Sequence, residues 1–342
     1  MELVREILTF ETEAQWLAMR EQDITSTETA ALFDASPYNT EFELHQIKTG
    51  QLTKEFEDND RMLWGRRLEN AIAYGIAEDF GLIVEPFKVY ARIANIRLGC
   101  SFDFKIVGLV PGRPSNDARE MFEKHGPGLM EVKNVDGLAF RRTWLEDGES
   151  IEAPAHIEIQ AQTQLEVVDM PWVIIAPLVG GNTPKPIIRE RDLEVGELIR
   201  QRTQHFWDRI EAGVSPEPNY VKDAKTIAKL NLENDGSVLD LTGNSRVYEL
   251  CKEYKRGGEL EKKAADIKAG AKSELLTIIG AAKTVKGAGF GISAGTNKES
   301  FRAYDREAGE RVTITITKVP ASHIDARVPA FRNVRITEKK AA

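Results

Sequence analysis

The chain has 342 residues, 42% hydrophobic and 29% charged, which supports packed cores and excludes a wholly disordered protein. No apolar run approaches the roughly 20 residues that span a bilayer, and two cysteines, Cys100 and Cys251, exclude a disulfide framework, a four-cysteine cluster and the usual structural zinc site. The net charge of −8 is unevenly divided: residues 1–221 hold 23 Lys+Arg against 38 Asp+Glu, residues 222–342 hold 23 against 16. That asymmetry predicts two modules, the second able to meet an anionic partner, although a solvated lysine-rich helix explains the charge equally well. The first residues, MELVREIL, give no apolar leader core, so a reducing cytoplasm is the expected setting.

In chain order, residues 11–35 read as two short helices, the second opened by the Ser/Thr-rich stretch at 25–29. Residues 41–49 are helical, with Gly50 as a stop. Residues 58–80 carry Met62, Leu63, Leu68, Ile72, Ala73, Ile76 and Phe80 at three-to-four spacing and predict a long helix closed by Gly81. Strands are expected at 82–90, 97–107 and 129–135, with a Gly/Pro-rich loop or long hairpin tip over 108–128. A helix over 155–168, a buried strand over 172–179, a strand at 186–192 and an amphipathic helix over 193–212 complete the first part. VSPEPNY at 214–220 is a linker by composition and coincides with the change of charge. Beyond it, 222–232 and 243–281 read as helices, the latter interrupted at Gly257-Gly258. GFGISAG, RVTITITKV and FRNVRIT read as strands.

One ordered set of residues carries chemistry: Glu69 on a helix, Asp103 on a strand, Glu131-Val132-Lys133 on the next strand and Gln160 on the following helix. Phosphodiester hydrolysis uses divalent metal to polarise phosphate and activate water, and hard cations take carboxylate and carbonyl oxygens. Asp103, Glu131 and the Val132 carbonyl could supply three. Glu131 and Lys133, two apart on a strand, share one face. By itself Glu-x-Lys is a weak signal, since it recurs at 253–255, 261–263 and 338–340. Only the 131–133 copy sits in strand context. The alternative for it is an ion pair on a half-buried strand.

The surroundings add specificity. Ile24 to Leu32 followed by Ser36-Pro37-Tyr38, Trp64-Gly65 with Leu68-Glu69, Ser101-Phe102-Asp103, Met130 to Lys133, Pro154 with Gln160 and Gln162, Trp172 through Gly181, and Phe206-Trp207 with Gly213 and Pro216 together resemble the YqaJ-type viral recombinases. These are the phage-lambda-type exonucleases of the PD-(D/E)XK nuclease superfamily. The likeness runs from about residue 20 to 218. Where the family opens with a Gly-Gly-Ser-Asp turn, this chain has Thr25-Ser26-Thr27-Glu28, and 108–128 lengthens the interval between Asp103 and Glu131.

The resemblance implies an α/β fold: a PD-(D/E)XK exonuclease core over 1–220, with a mixed central sheet flanked by helices. Beyond the resemblance, the charge and pattern of residues 221–342 predict a basic extension, a helical arm and small β element that grips DNA or contacts a partner or oligomer. The resemblance implies Asp103, Glu131 and Val132 as metal ligands for Mg²⁺, or Mn²⁺. Lys133 would be the catalytic lysine, Gln160 the motif glutamine beside it, and Glu69 the support for a second metal. Arg20, Thr27 and Ser101 would form a pocket for a terminal 5′-phosphate. The implied activity is 5′-to-3′ resection of linear double-stranded DNA for phage-type recombination. Its partners would be DNA ends, a single-strand annealing protein and further copies of the chain, with no membrane. Two rivals stay open from sequence: an endonuclease of the same superfamily, and a non-catalytic DNA-binding or docking protein on this fold.

Overall fold

The computed structural model describes residues 2–53, 59–147, 150–233, 235–286, 290–297, 300–305, 310–314, 324–328 and 331–338. They divide into two units, Met1–Asp235 and Gly236–Ala342, further along than the expected 220/221. The added segment packs on the first unit through Asp223, which is buried and accepts hydrogen bonds from the Asn219 amide (2.7 Å) and the Thr40 hydroxyl.

The first unit opens with strand β1 (Arg5–Leu8), not singled out by sequence, and helix α1 (Glu13–Glu21), where Thr12 and Gln15 form a capping box. Strand β2 (Ile24–Thr25) follows. The second helix expected here is a 3₁₀ helix of five residues, Thr29–Phe33. Glu28, its N-cap, makes no side-chain bond to it. Instead the carboxylate accepts from the Thr25 amide (3.1 Å) and pairs with buried Lys48 (3.2 Å), holding the chain in a turn. Lys48 lies on helix α2 (Glu41–Lys48). Helix α3 (Asp60–Phe80) is capped by the Asn59 side chain and buries Ile72, Ala73, Ile76 and Ala77; Gly81 ends it at φ +64°, where a side chain would be strained.

Strands β3 (Leu82–Pro86), β4 (Tyr90–Ile93), β5 (Leu98–Ser101) and β6 (Phe104–Leu109) come next. The segment expected as a loop or hairpin tip over 108–128 contains helix α4 (Asp117–His125). Its prolines lie outside the helix, Asn116 caps it, and buried Arg119 anchors it by donating to the carbonyls of Gly81 (2.8 Å) and Val110 (3.0 Å). Then follow β7 (Gly128–Val135), α5 (Gly137–Thr143), β8 (Leu145–Asp147), β9 (Ser150–Glu152), α6 (Ala155–Val168), β10 (Trp172–Val179), β11 (Thr183–Pro184), β12 (Ile187–Glu190), α7 (Leu193–Glu211) and α8 (Ala224–Leu230).

The central sheet is mixed, in the order β11-β10-β7-β6-β3 with β12 also on β10; β7 and β10 are parallel and the other pairs antiparallel. A second sheet runs β1-β4-β5-β2. Strand β10 is buried on both faces, as its unbroken apolar sequence requires. Val173 and Ile175 join the cluster that includes Ile157, Ala161 and Leu165 of α6. Trp172, Ile174 and Ala176 join the one built on Ile72, Ala73 and Ile76 of α3. Each buried Val, Ile or Leu among them contributes roughly 1.5–3 kcal/mol. This is the expected mixed sheet flanked by helices.

The second unit begins with α9 (Ser245–Ile279), 35 residues without a break at Gly257-Gly258 and without one buried residue. Two three-stranded sheets follow. The first sheet joins β13 (Thr284–Lys286), β14 (Phe290–Asn297) and β18 (Phe331–Glu338). The other joins β15 (Ser300–Asp305), β16 (Glu310–Ile314) and β17 (Ile324–Val328). The strand expected over 311–319 is described as far as Ile314; the rest of it lies outside the described residues. Among the described residues no helix is long and apolar enough to cross a membrane.

Candidate active site

Strand parity decides the site. Leu129 of β7 packs in the α6 cluster and Met130 and Val132 in the α3 cluster, so Glu131 and Lys133 share the face covered by α6. There Lys133 Nζ donates to Glu131 Oε1 (2.6 Å) and to Gln160 Oε1 (3.0 Å), and Gln160 Nε2 donates to Glu131 Oε1 (2.6 Å). Asp103, in the turn between β5 and β6, accepts a hydrogen bond from the Val132 amide at 2.7 Å. Glu69 comes from α3. A cleft of about 420 Å³ is lined by all nine residues expected from sequence: Arg20, Thr27, Glu69, Ser101, Asp103, Glu131, Val132, Lys133 and Gln160.

At the other end of the cleft, Arg20 donates to Thr27 Oγ1 (3.4 Å), and Trp16 Nε1 donates to Ser101 Oγ (2.7 Å). The Arg20 guanidinium lies over the Trp16 ring, 4.6 Å from its centre. Thr27, expected at a helix start, instead precedes Glu28, the N-cap of a 3₁₀ helix of five residues. Its turn is braced from below. Buried Asp23 accepts from Tyr90 (2.9 Å) and Arg92 (2.7 Å), and Lys48 Nζ donates to the Asp23 carbonyl (2.6 Å). Gly99 of β5 has no room for a side chain here, since a Cβ would stand 2.1 Å from the Tyr90 hydroxyl oxygen.

Burial pushes the Asp103 carboxyl well above its ordinary range, and Glu131 adds to the shift. Burial and Glu131 likewise raise Glu69. Burial pulls Lys133 down, but Glu131 and Asp103 outweigh it, so its ammonium is held charged. Three carboxyl groups thus crowd one ammonium, and burial and mutual repulsion disfavour their ionised forms; a divalent cation among them would favour those forms instead. The available donors are hard oxygens, from Asp103, Glu131 and the Val132 carbonyl, which suit Mg²⁺ or Mn²⁺ over softer metals. No group of three or more His, Cys, Asp or Glu side chains among the described residues forms a ready ligand cluster, so water or substrate oxygens would complete any coordination shell.

Two residues of the cleft region escaped the sequence reading. Gln164, buried on α6, donates to Glu131 Oε2 (2.7 Å) and to the Ser101 carbonyl (3.1 Å). Its signal was the four-residue interval from Gln160, one helical turn. Gln162, coupled to Gln160 by its place in the motif, points elsewhere and bonds the Glu190 carbonyl and the Asp192 amide (both 2.9 Å). Trp16 gave no signal beyond its position four before Arg20.

Residues 15–171 match the YqaJ-like viral recombinase domain family. Among solved structures, the chain is similar to an alkaline exonuclease, LHK-Exo, from Laribacter hongkongensis: 20% identity, TM-score 0.45, covering 64% of this chain and 99% of that one. It is also similar to a phage-related exonuclease from Haemophilus somnus 129PT, with 13% identity and TM-score 0.34 over 60% of this chain and 90% of that one. A comparison with curated proteins gave no match.

Proposed function

We propose, since residues 15–171 carry a YqaJ-like viral recombinase domain, that the protein is a DNA exonuclease that requires a divalent metal, Mg²⁺ or Mn²⁺, and resects linear duplex from its 5′ ends. The observation that carries this reading is the cluster in which the Lys133 ammonium bonds Glu131 and Gln160 beside Asp103. Asp103, Glu131 and the Val132 carbonyl would hold the metal, with Glu69 supporting a second. When bound, the metal would polarise the phosphodiester and make water acidic enough to attack it.

The chain's own residues do the rest. Lys133, charged by its carboxylate neighbours, places a positive charge where negative charge develops on phosphate. Gln160 fixes the Lys133 ammonium and the Glu131 carboxylate together. Arg20 offers a fork of donors to a terminal phosphate, and the Thr27 and Ser101 hydroxyls complete that pocket. The cleft then selects DNA ends, and the product strands would pass to an annealing protein in the host cytoplasm. The second unit, with 20 Lys+Arg against 13 Asp+Glu over residues 236–342, would hold duplex, dock that partner or join copies of the chain.

The test is digestion of end-labelled linear duplex beside a covalently closed circle, with Mg²⁺ and with EDTA. Release of label from the 5′ end of linear duplex alone, only with Mg²⁺ and lost in Asp103→Asn, is the expected result. Cutting of the circle at a comparable rate would make the protein an endonuclease. Duplex binding without cleavage under any metal would make it a non-catalytic binder.

A further inference from the structure

Gln164 is an amide at 2% exposure inside the apolar α6 cluster, between Leu165 and the Ala161 turn. Burying an amide there is unfavourable unless its hydrogen bonds are made. Its NH₂ group makes two, and they lead to different parts of the cleft. One reaches Glu131 Oε2 at 2.7 Å. The other reaches the carbonyl of Ser101 at 3.1 Å, whose own hydroxyl accepts from Trp16 and which stands two residues before Asp103. Glu131 Oε1 has Lys133 and Gln160 as donors, both within the catalytic cluster. Oε2 is therefore the oxygen through which the rest of the cleft reaches this carboxylate.

We propose that Gln164 is a positioning residue that links the Glu131 carboxylate to the Ser101 strand of the end pocket, so that metal affinity and the preference for a 5′-phosphorylated end are both set through one side-chain amide. This rests on the end-dependent nuclease reading above. Gln164 touches neither substrate nor metal in this role. It fixes the rotation of the Glu131 carboxylate on one side and the position of Ser101, and with it Asp103, on the other. Partners that orient metal-binding carboxylates typically change metal affinity or activity by about 10–100-fold when removed.

The full chain is compared with Gln164→Met, which keeps length and apolar fit but no donor, and with Gln164→Asn, which keeps the amide but draws it back from both acceptors. Three quantities are read: Ca²⁺ affinity by calorimetric titration, the rate ratio on 5′-phosphate against 5′-hydroxyl linear duplex with Mg²⁺, and the unfolding midpoint. In Gln164→Met, Ca²⁺ affinity should fall by about 10-fold or more and the ratio should move toward one, while the chain stays folded. Gln164→Asn should lie between it and wild type in both. Unchanged affinity and ratio with a lowered midpoint would overturn the proposal and leave Gln164 a packing residue. If Gln164→Met does not fold, Gln164→Asn decides by the same two readings. Wild-type protein that cuts both ends equally would instead refute the end-pocket reading and the Ser101 half of the link, and unchanged Ca²⁺ affinity would then refute the Glu131 half.

Discussion

Replacing Lys133 by Met separates what the lysine does for charge from what the carboxylates do for metal. The side chain is 24% exposed and its partner Glu131 5%, so the pair is largely shielded from water. Breaking a buried pair from one side costs about 3–5 kcal/mol. Here the partial exposure of Lys133 and the two glutamine donors left on Glu131 reduce that, and about 2 kcal/mol of lost stability is expected in EDTA. A divalent cation should restore most of it, because it neutralises the same carboxylates, and metal affinity should hold or rise once the competing ammonium is gone. Cleavage should nevertheless fall by about 100–1000-fold, the usual effect of removing one preorganised positive or hydrogen-bonding group from a transition state. The assays are thermal unfolding with and without Mg²⁺, Ca²⁺ titration, and the initial rate on 5′-phosphorylated duplex. A variant that keeps more than a tenth of the wild-type rate, or that loses metal and DNA binding together, would refute the assignment of Lys133 to the chemical step.

Arg20→Ala should abolish the faster cutting of 5′-phosphate over 5′-hydroxyl duplex, leaving the slower rate nearly unchanged; a preserved ratio in the variant would exclude Arg20 from the end pocket. His45, packed edge-on against Phe206 and beside Arg209 and Gln46, is held below the ordinary histidine range by burial and by Arg209. A depressed pKa means that its contribution to stability is fully present above about pH 6.5 and is lost as pH falls through the lower folded value; His45→Leu should therefore show a flatter unfolding midpoint between pH 7.5 and 5, as followed by calorimetry. A chain ending at Asp235 should retain Mg²⁺-dependent cleavage but bind duplex with a shallower salt dependence, by about 0.9 in log–log slope for each phosphate contact removed; an unchanged slope in filter-binding titrations would assign residues 236–342 to a protein partner or an oligomer instead.

The elements read most closely from sequence are those with one strong period or one unbroken apolar run. Helix α6 and strand β10 begin and end where expected, at Ala155–Val168 and Trp172–Val179. Strand parity, visible in sequence, sets Glu131 and Lys133 on one face of β7, whereas Arg20, Thr27, Glu69 and Asp103 reach the same cleft from separate helices and turns. Long-range pairing was not visible. The turn at Thr25–Glu28 leads into a 3₁₀ helix, and its Glu28 pairs with Lys48, twenty residues on, a contact that no local pattern shows. Helix α4 was obscured by the prolines and glycines that flank it. Among Gln160, Gln162 and Gln164, motif position favoured the first two, whereas helical phase selects the first and third. The two glycines at 257–258 each disfavour helix by about 1 kcal/mol, yet α9 runs through them without a break.

Helix α9 has a consequence for how the whole chain melts. At 35 residues it extends about 52 Å, yet nothing in it is buried, and most helical stability in proteins comes from a packed apolar face. Tyr248, Leu250, Tyr254, Leu260 and Ile267 are all exposed, and three glycines weaken its interior. Apart from half-buried Leu275, Leu276 and Ile279 near its C-terminal end, its helicity is held by local terms of a few tenths of a kcal/mol per pair, such as Glu249 with Lys252. On heating, such a segment frays gradually while the sheet-based unit opens cooperatively. Ellipticity at 222 nm will accordingly decline well before tryptophan fluorescence, all of it from Trp16, Trp64, Trp144, Trp172 and Trp207 in the first unit, reports any change. A ligand that grips the arm will announce itself as a gain of helix with the fluorescence transition left where it was.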